Sequence, residues 1–348
     1  MNTSIDDELF RYAESLGFGD LHIKFDVATG LQAIVAIHST KRGPALGGCR
    51  FIEYDSVNEA IRDALRLAVG MSYKSAISDL PLGGGKSVLI KPRRPIDREA
   101  YFAAFGRFVH ELGGRYITAM DSGVEITDMD IISNYTPYVT TISRHNGDPA
   151  PFTALGVLRG IEAAVKFKLQ RDNLVGVHVA IQGMGHVGYD LAKRLHALGA
   201  KLTICDRKPV AVQRYAVELG AEVVEPERIY EVECDVFAPC ALGAILNDQT
   251  IPLLKTPIIG GSANNQLAEP RHGQLLTDRG ILYAPDYVIN AGGLIHAHAE
   301  YKNSSLVAAE QHIMTIYEVL LTIFERATRE QKPTSVIADM IAAERLSL

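Results

Sequence analysis

The sequence lacks a basic excess: 35 Lys and Arg stand against 41 Asp and Glu, a net charge of −6, which argues against nucleic acid as its main partner. Its four cysteines, Cys49, Cys205, Cys234 and Cys240, include no C-x-x-C pair and sit in apolar or strand-like surroundings. They read as reduced core thiols of a cytoplasmic protein, neither a disulfide framework nor a zinc site. The opening Met-Asn-Thr-Ser-Ile-Asp-Asp-Glu-Leu-Phe is acidic and lacks the basic, apolar and small-residue regions of a signal peptide. No run approaches the ~18 apolar residues of a membrane span, so no membrane partner is expected. One motif is incomplete as well. Gly85-Lys86-Ser87 resembles the end of a nucleoside-triphosphate loop, but Leu80 stands where that loop needs its first glycine, and Ser87-Val-Leu-Ile90 is strand-like where a helix should begin.

What is present is a soluble globular composition, 47% apolar and 22% charged, over 348 residues, enough for about two domains. The stretch Leu80-Pro-Leu-Gly-Gly-Gly-Lys-Ser-Val-Leu-Ile90 stands out. Three glycines beside one lysine let a backbone take unusual conformations or lie close to a ligand. Leu31–His38 reads as a strand leading to a second glycine-rich loop, Gly43-Pro-Ala-Leu-Gly-Gly48. Ser56 with Glu59 forms a capping box, and Val57, Ala60, Ile61, Ala64, Leu65 and Ala68 keep a helical period that delivers Lys74 near the helix end. Asp97 caps a further helix stopped by Gly113-Gly114, after which a short strand, Arg115–Ala119, ends at Asp121. A carboxylate after a strand and before a glycine turn is well placed for chemistry, although most such residues cap turns.

Residues 143 to 151, Ser-Arg-His-Asn-Gly-Asp-Pro-Ala-Pro, form the best linker in the chain. Beyond it, strands near Val177–Gln182, Leu202–Cys205, Glu222–Val224, Asp235–Ala238, Pro257–Gly260 and Ile281–Tyr283 alternate with helical patterns. That alternation predicts a doubly wound parallel sheet. The whole is expected to be α/β with two domains, the first over residues 1–142 and a second, Rossmann-type doubly wound one over 143–324.

Within the second half, Gly183-Met184-Gly185-His186-Val187-Gly188 follows a strand and opens a helix, the context a G-x-G-x-x-G needs to be a dinucleotide fingerprint. The glycines permit the tight turn and the approach of a pyrophosphate, and the helix N-terminus offers unpaired N–H groups. Asp206, at the end of the next strand, can accept hydrogen bonds from a ribose diol and repels a 2′-phosphate, favouring NAD over NADP. Arg207 and Lys208 beside it weigh the other way.

The segments Gly43–Gly48, Gly70-Met-Ser-Tyr-Lys74, Leu82-Gly-Gly-Gly-Lys86, Asp128-Met-Asp-Ile-Ile132, Phe237-Ala-Pro-Cys-Ala-Leu-Gly243, Gly261-Ser-Ala-Asn-Asn-Gln266 and Tyr283-Ala-Pro-Asp-Tyr-Val-Ile-Asn-Ala-Gly-Gly293 resemble those of the glutamate/leucine/phenylalanine/valine dehydrogenase family. The likeness spans nearly the whole chain and is greatest to the leucine dehydrogenase branch. It implies reversible oxidative deamination of an L-amino acid with NAD. By position, Lys74 would hold the substrate carboxylate, Lys86 would activate water and stabilise the carbinolamine, and Asp121 would exchange protons with the substrate nitrogen. Gly47 and Gly48 would approach the substrate; Thr153 and Asn290 would lie near the nicotinamide, and Cys240, Ala241 and Asn264 along the dinucleotide. The resemblance implies a homo-oligomer as well, with a cleft between the two domains: residues 1–142 would be the substrate-binding and oligomerisation domain, onto which 325–348 packs back, and 143–324 the NAD-binding domain.

The family's side-chain pocket falls on Leu46, Ala119, Leu294 and Ala297. All are aliphatic, so a glutamate γ-carboxylate would be buried unpaired at a cost of several kcal/mol. A branched-chain substrate is the expectation. Ala297 stands where the leucine enzymes usually carry a bulkier valine, which leaves an aromatic substrate as the alternative; a catalytically silent NAD-binding regulator is a further one. Met120 replaces a usual acidic residue. His296, His298 and Glu300 are also departures from the family, but on a helix residues two apart do not share a face, and no metal site is expected.

Overall fold

The computed structural model describes residues 7–145 and 148–347. Residues 1–6 of the segment judged for a signal peptide, and Asn146-Gly147 of the linker, lie outside them. The chain forms two compact units. The first runs to Asp148 and includes Ala297–Ser304 and the chain from Ala342; the second holds Pro149–His296 and Ser305–Ile341.

In the first unit, α1 (Asp7–Ser15) precedes the strands β1 (Asp20–Asp26), β2 (Leu31–Ser39) and β3 (Ala45–Ile52). Then come α2 (Val57–Ile77), β4 (Gly83–Ile90), α3 (Arg98–Glu111), β5 (Tyr116–Met120) and α4 (Ile126–Ser133). The sheet order is β1-β2-β4-β3-β5, with β3, β4 and β5 mutually parallel at its heart. Helix α2 starts as its sequence directs: Ser56 Oγ accepts from the Glu59 N–H, and the Glu59 carboxylate reaches back to the Asp55 N–H. Its stripe of Ala60, Ile61, Ala64, Leu65 and Ala68 packs on Ile34, Ala36 and Val88 of one sheet face. On the other face, Tyr101, Phe102, Phe105 and Phe108 of α3 bury against Val35, Ile37, Cys49, Phe51 and Leu89. These aromatics are core, as their single helical face implies.

Two expected loops are strands. Gly83-Gly84-Gly85 is the buried start of β4, and Gly47-Gly48 lies inside β3. The glycines serve close packing of backbone on backbone. A Cβ on Gly84 would stand 2.0 Å from the Ser72 amide nitrogen of α2, and one on Gly85 2.8 Å from the Tyr116 ring. Strand β1, which the sequence reading omitted, pairs antiparallel with β2 from Asp20↔Ile37 to Asp26↔Leu31 and leaves Leu21, Ile23 and Phe25 exposed along the sheet edge.

The second unit opens with α5 (Ala150–Leu169), β6 (His178–Gln182), α6 (His186–Ala197), β7 (Lys201–Cys205), α7 (Pro209–Leu219) and β8 (Glu222–Val223). It continues with β9 (Val236–Pro239), β10 (Ile258–Ile259), α8 (Arg271–Asp278), β11 (Leu282–Tyr283), α9 (Asp286–Ile289), α10 (Gly292–Tyr301), α11 (Leu306–Met314), α12 (Ile316–Glu330) and α13 (Thr334–Ser347). All six strands read from the sequence are there. They pair in parallel in the order β8-β7-β6-β9-β10-β11, the dinucleotide-fold order.

Two boundaries differ from expectation. The units divide after Asp148, and of the segment 325–348 only the chain from Ala342 joins the first unit. There Arg345 donates to the Ala76 and Ile77 carbonyls at the end of α2, whereas Leu320, Ile323, Phe324 and Ala327 of α12 form a buried stripe and α12 packs on α5. One helical segment, Leu306–Glu330, has the length and mean hydropathy (1.2) of a membrane span, although no run of ~18 apolar residues lies in it. It is two helices joined at Thr315 that carry Glu310, Glu318 and Glu325, and its buried residues recur at helical spacing in the second unit.

Candidate active site

Lys86, Gly48 and Asp121 meet because β4, β3 and β5 lie side by side. The registers Cys49↔Ser87 and Gly48↔Ala119 bring Lys86 beside Gly48 and put Asp121 just past the end of β5. Lys86 is only 6% exposed and donates to Asp121 Oδ2 in a short ion pair. Gly48 makes the pair possible: a Cβ there would sit 2.8 Å from Asp121 Cβ and 3.0 Å from Lys86 Nζ. Tyr116, buried beneath, donates to the Gly47 carbonyl at 2.8 Å and accepts from the Ser87 hydroxyl at 3.0 Å, tying the two strands together.

Arg50, which the sequence reading passed over, donates its Nε–H to the same Asp121 Oδ2 at 3.2 Å. It is held in turn by Asp63 of α2 at 2.7 Å, and the Asp63 carboxylate also accepts from Tyr54 (2.7 Å) and Arg66 (3.1 Å). Asp121 is thus a partly buried carboxylate whose Oδ2 accepts from two cations. Burial alone would raise its pKa, but Lys86 and then Arg50 override it and hold the group down at about 2. The geometry offers a fixed carboxylate anion beside a lysine ammonium, the arrangement proton exchange at a substrate needs.

The other expected residues of this unit are placed as follows. Leu46 is buried in β3 and Ala119 in β5, their strands adjacent. Lys74 lies in the last turn of α2, on the helix that packs on β4. Ala297 is buried in α10, where its carbonyl accepts from Thr140 Oγ1 at 3.0 Å. Leu294 is buried in the part of α10 that belongs to the second unit. Asp128, within one of the resembling segments, caps α4 through the Glu125 N–H and pairs with Arg98. Glu300 accepts from the Ile142 N–H. Among the described residues no group of three His, Cys, Asp or Glu is arranged to hold a metal.

In the second unit the fingerprint sits at the carboxyl ends of the central strands, where dinucleotides bind in such sheets. Gly183 has φ +98°, and a Cβ on it would press on Ala241; one on Gly188 would strike the Gly183 carbonyl at 2.0 Å. Gly185, the N-cap of α6, faces open space instead, so a pyrophosphate can approach the helix N-terminus there. Met184 lies in the turn and His186 and Val187 open α6, and the Met184 N–H donates to Asp206 Oδ2 at 2.7 Å. Cys240 follows the end of β9 and donates its N–H to the Gln182 carbonyl. Asn290 donates to Asn264 Oδ1 at 2.7 Å and to the Ser262 carbonyl at 3.0 Å, and Thr153 fills the space above Gly293, 2.7 Å from where its Cβ would be. Burial pushes the Cys49 and Cys205 thiols up to about 12, so both stay protonated core groups.

The model for the Glu/Leu/Phe/Val dehydrogenase dimerisation domain matches residues 20–138, and that for glutamate/leucine/phenylalanine/valine dehydrogenase matches residues 202–343. The chain belongs to this family. Leucine dehydrogenase of Geobacillus stearothermophilus is 51% identical over 97% of this chain and 93% of its own, and L-tryptophan dehydrogenase of Nostoc punctiforme is 45% identical over 91% and 90%. The crystal structure of the Nostoc punctiforme tryptophan enzyme superposes with a TM-score of 0.87 at 41% identity, covering 97% of this chain and 98% of that one. The hetero-hexameric glutamate dehydrogenase of Thermus thermophilus shares the fold, with a TM-score of 0.77 at 21% identity over 99% and 97%. The protein is an amino acid dehydrogenase of this family with its two-domain α/β fold.

Proposed function

We propose that the protein is an NAD-dependent branched-chain amino acid dehydrogenase, converting leucine, valine or isoleucine with water and NAD to the 2-oxo acid, ammonium, NADH and a proton. The buried Lys86–Asp121 pair carries this reading. Lys74 would anchor the substrate carboxylate, and Gly47 and Gly48 would leave room for the substrate beside the pair. Lys86 would activate the attacking water and, through its ammonium, stabilise the carbinolamine oxygen. Asp121 would give and take protons at the substrate nitrogen.

Gly183, Gly185 and Gly188, with Met184, His186 and Val187, fit a pyrophosphate, and Asp206 fits a ribose diol; Cys240, Ala241, Asn264, Asn290 and Thr153 would line the rest. The cofactor supplies the hydride acceptor. Leu46, Ala119, Leu294 and Ala297 would shape an aliphatic pocket, and a methylene more or less in such a pocket is worth only about 1–3 kcal/mol. A second reading, an aromatic amino acid dehydrogenase, is supported by the small Ala297 and the tryptophan dehydrogenase among the relatives. The exposed Leu21, Ile23 and Phe25 on the open edge of β1 support self-association, as does the hexamer named for the Thermus thermophilus relative.

A substrate panel tests this reading. The ratio of kcat/KM for leucine, valine and isoleucine to that for phenylalanine and tryptophan, measured with NAD and with NADP, should favour the branched side chains and NAD. A reversed amino acid ratio would move the assignment to the aromatic enzyme.

A further inference from the structure

The chain Tyr54–Asp63–Arg50 has no part in substrate or cofactor binding as described, yet it ends on the catalytic carboxylate. Arg50 is about one-fifth exposed and Asp63 14% exposed, so the pair is shielded from solvent. Tyr54 and Arg66 hold the Asp63 carboxylate from two further sides. This anchors the guanidinium with its Nε–H on Asp121 Oδ2, the oxygen that Lys86 already occupies. The other oxygen, Oδ1, takes a long 3.4 Å hydrogen bond from Ser122 Oγ. The two cations are therefore gathered on one side of the carboxylate.

We propose that Arg50, anchored by Asp63 and Tyr54, is a positioning residue that shares Asp121 Oδ2 with Lys86 and thereby fixes Oδ1 for proton exchange with the substrate nitrogen. The inference rests on the dehydrogenase reading and deepens it. A carboxylate held by Lys86 alone can rotate about its Cβ–Cγ bond and exchange its oxygens, whereas two cations on one oxygen select a single orientation. Orientation of this kind acts on turnover and leaves carboxylate binding at Lys74 alone.

The test is steady-state kinetics of the full-length enzyme with Arg50→Ala, Arg50→Lys, Asp63→Asn and Tyr54→Phe, with circular dichroism to confirm folding. Arg50→Ala and Asp63→Asn should lower kcat by about 10-fold or more while the amino acid KM stays within about twofold. Tyr54→Phe, which keeps the ring, should lower kcat less. Added guanidinium at tens of millimolar should restore part of the Arg50→Ala loss, which a merely structural role would not allow. Should Arg50→Ala fail to fold, Arg50→Lys keeps the charge without the planar fork and must still lose turnover. Unchanged kcat in these variants, or a rise in KM with kcat intact, overturns the positioning role. A wild-type enzyme inactive on every amino acid overturns the dehydrogenase reading itself, so the two failures are told apart.

Discussion

The ammonium of Lys86 lies only 3.0 Å from where a methyl carbon on Gly48 would be. Room for the Lys86–Asp121 pair is therefore made by one absent side chain on the neighbouring strand. Gly48→Ala would press its new carbon on Asp121 Cβ at 2.8 Å as well as on the lysine end, and should misplace the pair and lower kcat by about 10–10²-fold. Gly84→Ala should behave differently. Its new carbon would meet the Ser72 backbone, so the loss should appear as stability, on the order of 3 kcal/mol in a denaturant melt.

Lys86→Ala and Asp121→Asn should each reduce kcat by at least ~10²-fold with cofactor affinity nearly unchanged, as read by NADH fluorescence titration. Lys74→Ala should instead raise the amino acid KM. A Lys86→Ala enzyme with near-normal turnover would leave β4 a scaffold only.

The pH dependence of stability has a worked sign. Asp121 is held at about 2 in the folded protein, against an ordinary value of 3.8. A depressed carboxylate stabilises the fold above its unfolded pKa, and that contribution is lost as pH falls from about 4 towards 2. Roughly 2 kcal/mol is at stake, and with the side chain 24% exposed it stands with little screening. Urea melts at pH 6 and pH 3 should therefore show a smaller acid loss for Asp121→Asn than for the wild type. Equal losses would contradict the pairing.

In the second unit, Asp206 is tied to the fingerprint by the Met184 N–H. Asp206→Ser should raise the KM for NAD by about 10-fold and, with Arg207 and Lys208 adjacent, narrow the preference over NADP. Kinetics with both cofactors read this directly.

Much of this was legible before any coordinates. The strands of the second unit are found where apolar runs alternate with helical periods, and the fingerprint is recognisable by its strand and helix context. The glycines of β3 and β4 misled, because glycine favours turns in general and only the close approach of α2 and Tyr116 makes it a strand residue here. Arg50 and Asp63 were invisible for another reason. Their meeting with Asp121 depends on the parallel register of β3 with β5, and no local spacing in the chain encodes that pairing.

The most direct test of the central claim is the initial rate of absorbance at 340 nm when the purified protein is mixed with NAD and L-leucine at alkaline pH. The account predicts steady NADH formation that Asp121→Asn abolishes. No NADH from leucine, valine, isoleucine or any aromatic L-amino acid would contradict it.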